Sequence, residues 1–481
     1  MTAHFSIISP TADLDVDVIE AVAAEFFVIL RPGDCLAIGV LPLLETLANS
    51  ANDVDYIYGD EDYFDNEALA AGADVDADVD EHVAEPWPER AFYKPDFSPE
   101  RLRSHNYCGP CVVVRTTLLR ELIKAGASVA PDRRYDLVLR ISERARRVLH
   151  LPAVLCHCHT SNAELTPLDD ERQLAAVHAH LDRSLIDGVA ESSTPPGTYR
   201  VRRNIEGQPK VSFIIPTRGS HGTVWGLDRC FVVDAVRSII DTATYRNFEL
   251  VVVYDTPTPA DTLDSLRRIA GDRLVLVPFD RPFNFSEKIN VGRIHASGEL
   301  LMLFNDDMQV ITPDFLEAMI PLAMEAHVGS VGAKLLLSDG RLQHGGHVYN
   351  GEPYHILWGR WRNDPGPFDL LAVQRECIGV TAACLMTRTD VFDSVGGFST
   401  VFPIDFNDVD FALKLEVNGY RTVWTPFAEL YHFETMTREK TSRPEAIAAM
   451  YARWAHRLVN DPYYNPNLAP HRFDWVELGL R

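Results

Sequence analysis

Two groups of aspartates lie at positions where their carboxylates could bind a cation or accept a proton. Asp306 and Asp307 follow the apolar run "LLMLF" after one asparagine, and this run predicts a buried strand that ends at a turn. Oxygen ligands at the end of such a strand can hold a hard cation, although aspartate is also common in solvated turns. Asp405, Asp408 and Asp410 surround a predicted helix start. One of them can serve there as a general base, and helix capping alone also favours aspartate at this place.

Cysteines form a second group of candidates. Cys108 and Cys111 have the two-residue spacing of thiol–disulfide active sites, and Cys156 and Cys158 follow in "LCHCHT". A redox motif of this kind should open a helix, whereas "CGPCVVVR" runs into a β-branched stretch that predicts a strand. Two interpretations remain open. The thiols fill a core, or a zinc site joins Cys108, Cys111, Cys156 and Cys158 or a histidine.

Composition narrows the class of protein. The chain has 481 residues, 46% of them hydrophobic, and a net charge of −24. This length predicts two or three domains, and the acidic charge argues against a nucleic-acid partner. The first residues lack the pattern of a signal peptide, and the apolar run "EFFVILRPGDCLAIGVLPLL" is too interrupted to span a bilayer. We therefore expect a soluble, cytoplasmic protein, and we expect the acidic segment 71–89 to form a surface loop.

The elements that must position these residues alternate between strands and helices. "VSFIIP" and "FELVVVYD" predict buried strands, and "CFVVDAVRSIIDTA" between them has helical spacing. This alternation predicts a parallel α/β sheet, in which ligands bind beyond the carboxyl ends of the strands. The predicted strand ends are Thr217–Arg218 and Asp255.

The two halves of the chain repeat one pattern of anchors. In each half an aspartate after a strand is followed by a second aspartate, a helix, a short strand and a histidine. The aspartates are 102 and 103 positions apart in the two halves, and the histidine follows after 21 and 22 positions. We infer two copies of one architecture, the first lacking most of its N-terminal half. The matched pairs are Asp34 and Asp307, Asp136 and Asp410, and His157 and His432.

The copies differ where the chemistry would be. Arg134 stands in the first copy where the second has Asp408, and Gly33 stands opposite Asp306. An active second domain beside a degenerate first one explains this difference. The cysteines of the first copy fall where the second has Thr381, Cys384, Tyr431 and Phe433. This favours the interpretation that they fill a core, and the zinc site stays an alternative.

Several ordered motifs resemble the family 2 glycosyltransferases with a GT-A fold, especially bacterial polysaccharide and cell-wall sugar transferases. The resemblance covers about residues 209–470 and implies a Rossmann-like mixed sheet that binds a nucleotide-diphosphate sugar. The first domain resembles the second half of such a fold. The motifs include "VSFIIPTRG", "FELVVVYD", "FNFSEKINVGRIHASGELLMLFNDDMQVI", "FPIDFNDVDFALKL" and "DPYYNPNL".

The resemblance assigns roles to matching positions. Asp408 matches the base, Asp307 the direct metal ligand and His432 a late histidine that joins the metal. Asn407 fills a position that is often acidic in the family, so Asp405 or Asp410 could share the role of the base. The residues implied to bind the nucleotide sugar are Thr217, Arg218, Asp255, Asn290 and Asp306.

The implied function is inverting transfer of a sugar, assisted by Mn²⁺ or Mg²⁺, to a hydroxyl of a glycan or lipid-linked acceptor. A lipid-linked acceptor would bring the protein into peripheral contact with the inner membrane face. We expect a truncated, non-catalytic GT-A-like domain over 1–190, a linker over 191–208, a catalytic domain over 209–438 and a helical tail over 439–481. Two other functions remain open, a sugar-phosphate nucleotidyltransferase and a non-catalytic glycan-binding scaffold.

Overall fold

The computed structural model describes residues 3–13, 16–50, 52–64, 91–160, 166–433 and 443–478. The acidic segment 71–89 and the predicted boundary after residue 438 lie outside the described residues. The chain divides into two compact units. The first comprises Met1–Arg202, Tyr464–Leu468 and Glu477–Arg481, and the second comprises Arg203–Tyr463 and Ala469–Val476. Within the described ranges, no helix is long and apolar enough to cross a membrane.

The first unit is built on a six-stranded mixed sheet in the order β1-β2-β5-β4-β6-β3. Its longest helix, α6, starts with a capping box in which Thr166 and Asp169 satisfy each other's backbone N–H groups. The strands are β1 Phe5–Ile8, β2 Phe26–Ile29, β3 Cys35–Leu36, β4 Val54–Phe64, β5 Val112–Arg115, β6 Arg147–His159, β7 Gly188–Ser192 and β8 Tyr199–Arg203. The helices are α1 Val16–Glu20, α2 Val40–Ser50, α3 Pro99–Ser104, α4 Thr116–Lys124, α5 Arg134–Arg144 and α6 Pro167–Arg183.

The second unit has a ten-stranded mixed sheet whose main path is β13-β12-β9-β14-β21-β16-β22-β15. Its strands are β9 Val211–Thr217, β10 His221–Val224, β11 Leu227–Cys230, β12 Phe248–Asp255, β13 Leu274–Phe279, β14 Leu300–Phe304, β15 Met308–Val310, β16 Val328–Leu336, β17 Leu342–His344, β18 His347–Tyr349, β19 Pro353–His355, β20 Arg375–Cys377, β21 Cys384–Arg388 and β22 Arg421–His432. Its helices are α7 Phe231–Thr242, α8 Ala260–Ala270, α9 Phe285–His295, α10 Phe315–Ala323, α11 Thr389–Ser394, α12 Asn407–Val417 and α13 Pro444–Trp454.

Four neighbouring strands of the second unit, β13, β12, β9 and β14, run parallel to one another. The predicted strands "VSFIIP" and "FELVVVYD" are β9 and β12, and both are buried along nearly their whole length. Continuous apolar runs of this kind are typical of parallel strands covered on both faces. The carboxyl ends of β12, β9 and β14 therefore meet at one edge of the sheet.

Strand pairing repeats between the two units. Four strand pairs of the first unit, β2–β5, β4–β5, β4–β6 and β3–β6, have counterparts with the same partners 272 to 275 positions later. The first unit's sheet, over its described residues, has no strand that corresponds to β12 or β13. The repeat inferred from three anchors thus extends through the sheet. The corresponding pairs are Val54–Arg147 with Val328–Arg421, Phe26–Arg115 with Leu300–Arg388, and Cys35–His157 with Met308–His432.

A fully buried carboxylate, Asp60, organises polar contacts in the first unit. It accepts hydrogen bonds from the backbone N–H of Lys94 (2.8 Å) and from the Nδ2 of Asn465 (2.9 and 3.0 Å to its two oxygens), and His150 Nε2 lies 2.9 Å away. Asn465 also donates to the carbonyl of Lys94 at 2.9 Å. Asn465 comes from the "DPYYNPNL" motif, so this part of the predicted tail completes the first unit.

We predict that Asn465→Ala lowers the free energy of unfolding by about 2–3 kcal/mol, because a hydrogen bond to a buried charge is lost and the carboxylate of Asp60 is left under-satisfied. Urea unfolding followed by circular dichroism measures the change. The control is Asn418→Ala, since Asn418 donates only to the last turn of its own helix, through Lys414 O at 2.8 Å. Equal stability of Asn465→Ala and the wild type would contradict this role.

Candidate functional site

The carboxyl edge of the parallel strands brings predicted site residues together. Thr217 is the last residue of β9, and Asp306 follows β14 after one further residue. The hydroxyl of Thr217 donates to Asp306 Oδ2 at 2.6 Å. Burial raises the pKa of Asp306 above its usual range, and the negative charge of Asp307 raises it further. Two neighbouring carboxylates at one strand end therefore form a place of strong negative potential.

Lys288, in α9, connects two strand ends at this edge. Its side chain is fully buried, its Nζ donates to the carbonyl of Thr217 at 2.6 Å, and it lies 2.7 Å from Asp255 Oδ1. Burial lowers the pKa of Lys288, while the hydrogen bond and charge of Asp255 act in the opposite direction. Lys288 lies in the sequence motif that begins "FNFSEKINVGR", but nothing local in that motif shows which backbone carbonyl the ammonium reaches.

The other two residues predicted to bind the nucleotide sugar take different places. Arg218 lies over the ring of Phe283 at 4.0 Å, and its Nε is 3.8 Å from Asp255 Oδ2. Its side chain is about half exposed, so it borders the edge and is open to a ligand. The side-chain amide of Asn290 instead donates to the carbonyl of Phe398 at 2.7 Å and accepts from the N–H of Phe398 at 2.9 Å. These contacts give Asn290 a structural task, and its role in donor binding stays a prediction.

His432 and Asp307 meet because β15 and β22 pair. Met308 is in register with His432, and His432 Nε2 lies 3.2 Å from Asp307 Oδ1. On its other side, His432 Nδ1 is 2.7 Å from Oε1 of Gln343. Because an amide oxygen only accepts, Nδ1 carries the proton, and in the neutral ring Nε2 accepts from the side-chain amide of Asn305, which lies 3.2 Å away. This nitrogen and the neighbouring carboxylate of Asp307 are both of the kind that ligates divalent cations.

Asp408 and Asp410 have different surroundings, although they are two residues apart on α12. Asp408 is half-buried, and its carboxylate accepts from the backbone N–H groups of Val409 (2.9 Å) and Ala382 (3.3 Å). Burial raises the pKa of Asp408, and the nearby charge of His355 partly offsets this. A raised pKa suits a general base because it strengthens proton affinity.

The carboxylate of Asp410 is fully buried and neutralised. It lies 2.9 Å from Arg453 Nη1 and 3.5 Å from Lys414 Nζ, and it accepts a hydrogen bond from the indole of Trp454 at 2.9 Å. These contacts fasten α13 to α12, so Asp410 is a structural residue. Asp405, the third aspartate of the segment, is buried and accepts from the backbone N–H of Arg443 at 3.4 Å.

Three histidines close to Asp408 were not anticipated from the sequence. The rings of His344, His347 and His355 lie 4.9–5.1 Å apart, centroid to centroid. Thr381 N–H donates to His344 Nε2 at 3.2 Å, so the neutral ring carries its proton on Nδ1, which lies 2.8 Å from His355 Nδ1. This chain of hydrogen bonds runs from Thr381 through His344 to His355, the histidine whose charge lowers the pKa of Asp408. The spacing of "QHGGHVYNGEPYH" was the available signal.

The counterparts in the first unit are differently engaged. Arg134, in the position of Asp408, is buried and donates to the carbonyls of Ile29 (3.2 Å) and Leu30 (3.3 Å). Asp34 pairs with Arg31 at 2.8 Å, and His157 lies 2.6 Å from Asp62. The pair that meets in the second unit as Asp307 and His432 thus has other partners here.

Comparison with known proteins identifies a domain family within the second unit. The family model described as Glycosyl transferase family 2 matches residues 212–396. The second unit carries a family 2 glycosyltransferase domain. This match confirms the resemblance seen in the sequence motifs, and the mixed α/β sheet agrees with the expected GT-A architecture.

Two curated relatives extend beyond this glycosyltransferase domain. The chain is 35% identical to the uncharacterized protein y4gI of Sinorhizobium fredii over 484 residues, and 33% identical to the O-antigen biosynthesis protein RfbC of Myxococcus xanthus over 414 residues. These alignments cover 95% and 81% of this chain. The chain spans 50% of the first relative and 31% of the second.

Among solved structures, the mannosyltransferase PcManGT of Pyrobaculum calidifontis, in complex with GDP-Man and Mn²⁺, is similar at 16% identity and a TM-score of 0.36. The match covers 59% of this chain and 77% of that one.

Removing the buried ammonium should destabilise the glycosyltransferase domain. We predict that Lys288→Met lowers the free energy of unfolding by about 3–5 kcal/mol, because Asp255 and the carbonyl of Thr217 lose their partner. The double variant with Asp255→Asn should recover part of the loss, since the uncompensated charge is then absent. Urea unfolding of the four proteins gives this coupling energy. Strictly additive effects would contradict the ion pair.

Proposed function

We propose that the second unit transfers a sugar from a nucleotide-diphosphate donor to a hydroxyl of a glycan or lipid-linked acceptor, with inversion at the anomeric carbon. The observation that carries the proposal is the cluster of Thr217, Asp306, Asp307 and His432 beside the ends of parallel strands in a family 2 domain. Ligands of open α/β sheets bind at this edge. The similarity to a protein named for O-antigen biosynthesis supports a polysaccharide or lipid-linked acceptor.

The residues at Asp307 and His432 fit a divalent cation such as Mn²⁺ or Mg²⁺. The carboxylate offers hard oxygen, and Gln343 keeps the proton of His432 on Nδ1, so that Nε2, which lies 3.2 Å from both Asp307 Oδ1 and Asn305 Nδ2, is an acceptor nitrogen. Ligating histidines typically have such a partner on their second nitrogen. When bound there, a cation would supply Lewis-acid stabilisation to the departing diphosphate. The rest of the reaction is assigned to side chains of the chain itself.

Asp408 is the proposed base. Two backbone N–H groups orient its carboxylate, and burial raises its pKa, so the group is held ready to take a proton from an acceptor hydroxyl. Asp410 is excluded from this task by Arg453, Lys414 and Trp454. A single displacement that inverts the anomeric carbon needs one base and no nucleophilic side chain, which matches the proposed assignment.

Donor binding falls to the residues at the strand ends. We assign Thr217, Asp255 and Asp306 to the nucleoside side of the donor, with Arg218 exposed beside them. An exposed guanidinium is a suitable partner for a diphosphate in a chain whose net charge is −24. We place the reaction on the cytoplasmic face of the membrane when the acceptor is lipid-linked, because the donor is a nucleotide sugar.

Replacing the base should separate transfer from binding. We predict that Asp408→Asn slows sugar transfer by at least about 100-fold, because an amide cannot accept the proton, while the affinity for the donor stays within twofold. Release of nucleoside diphosphate from a panel of nucleotide sugars measures the rate, and calorimetry measures binding. The control is Asp393→Asn, an exposed aspartate paired with Arg293. Full activity of Asp408→Asn would remove Asp408 from the role of base. Loss of activity in Asp405→Asn alone would assign that role to Asp405.

The tautomer of His432 should control cation binding. We predict that Gln343→Leu weakens Mn²⁺ binding about 10-fold, because His432 loses the acceptor that keeps its proton on Nδ1. Gln343→Glu should restore binding, since a carboxylate oxygen also accepts from Nδ1. Titration of Mn²⁺ into chelator-treated protein, followed by electron paramagnetic resonance, measures both constants. Equal affinity in the Leu variant and the wild type, or sugar transfer undiminished in chelator, would contradict the cation site.

A further inference from the structure

Three thiols and a carboxylate converge in the interior of the first unit, and the proposed transfer uses none of them. Cys156 Sγ and Cys158 Sγ lie 3.5 Å apart, and both lie within 4.8 Å of a carboxylate oxygen of Glu61. All three side chains are buried. Cys111 is the third thiol, because it belongs to the same cluster of buried side chains as Cys156 and Cys158.

The fold of the first unit places these ligand atoms on one face of the sheet. β4 and β6 are parallel, with Glu61 in register with Cys156 and Tyr63 in register with Cys158. Side chains of paired residues point to the same face, and so do residues two positions apart. The register shifts on both sides of Asp60, just before Glu61. A bulge of this kind changes the direction of the side chain that follows it, here that of Glu61, relative to regular pairing.

The turn Cys108-Gly109-Pro110-Cys111 packs directly on Glu61. A Cβ at Gly109 would collide with the Glu61 carboxylate and with Lys94 Nζ, so only glycine fits there, and its φ of +89° also favours glycine. Cys108 contributes its backbone carbonyl, which accepts from Lys94 at 3.0 Å. The thiol of Cys108, which the sequence alternative of a zinc site includes, belongs neither to the close group of Glu61, Cys156 and Cys158 nor to the buried cluster that holds Cys111. Glu61 occupies the corresponding place.

Hydrogen bonds orient the Glu61 carboxylate as they orient ligating carboxylates in metal sites. Lys94 Nζ donates to one oxygen at 2.7 Å, and the Tyr63 hydroxyl donates to the other at 2.9 Å. Positive charge is also buried nearby. Lys94 is 1% exposed, and its Nζ lies 2.7 Å from Glu61 Oε2. This cation can help to balance thiolates that would otherwise be too costly to bury.

We propose that Cys156, Cys158 and Glu61, whose ligand atoms lie within 4.8 Å of one another, bind one thiophilic divalent cation of the zinc type, and that Cys111 from the same buried cluster adds a third thiolate. Zinc–sulfur bonds of about 2.3 Å in a tetrahedron separate two sulfurs by about 3.8 Å, close to the distance between Cys156 and Cys158. On binding, each thiol releases one proton to solvent and forms one sulfur–metal bond, and the Glu61 carboxylate supplies the fourth ligand. Four protein ligands make this a closed, structural site, which ties β4, β6 and the turn before β5 together.

The test uses the full chain and zinc itself. After removal of loosely bound metal by chelator, elemental analysis should find about one zinc per chain. Replacing zinc by Co²⁺ should give the thiolate-to-cobalt charge-transfer absorption of a sulfur-rich tetrahedral site. Cys158→Ser should lose the zinc and the absorption band, while Cys384→Ser keeps both. Cys384 is the matched control because it is a buried cysteine of the second unit and the counterpart of Cys111 in the repeat.

Three results would overturn the proposal. They are no zinc and no cobalt–thiolate absorption in the wild-type chain, zinc that survives in Cys158→Ser, or a disulfide between Cys156 and Cys158 in the isolated protein. The cobalt spectrum of the wild type decides the matter even if Cys158→Ser does not fold. Because the assay does not involve sugar transfer, its outcome is independent of the proposed function of the second unit.

Discussion

A buried ammonium group needs a carboxylate as its partner, and each unit of this protein is organised around one such ion pair. Lys288 pairs with Asp255 in the second unit, and Lys94 pairs with Glu61 in the first, both at 2.7 Å. An uncompensated charge at such depth costs several kcal/mol, so neither pair tolerates loss of one partner. In the second unit this requirement connects the ends of β9 and β12, and the proposed donor site depends on that connection.

The two units show one sheet arrangement with different chemistry at equivalent places. Pairing of Met308 with His432 and of Cys35 with His157 keeps the backbone the same. The side chains on this shared backbone differ. In the second unit Asp307 lies beside His432, whereas the interior of the first unit contains thiols. A conserved scaffold with changed side chains is how one fold hosts unrelated sites.

Much of the fold could be predicted because its signals are local or periodic. The strand at Phe248–Asp255 and the spacing from Asp307 to His432 needed only the order of residues. Contacts between distant segments were out of reach, such as Lys288 to the carbonyl of Thr217 or Asn465 to Asp60. Such contacts depend on which segments fold together, and no local pattern encodes that.

We propose above that the acidic strand end of the second unit holds a cation beside a nucleotide donor. Its most direct test is a crystal structure of the full chain with Mn²⁺ and a nucleoside diphosphate, with manganese located by anomalous diffraction. We expect an anomalous peak within bonding distance of Asp307 and His432, and a diphosphate beside Arg218. Manganese bound elsewhere in the chain, or a diphosphate away from the ends of β9, β12 and β14, would contradict it.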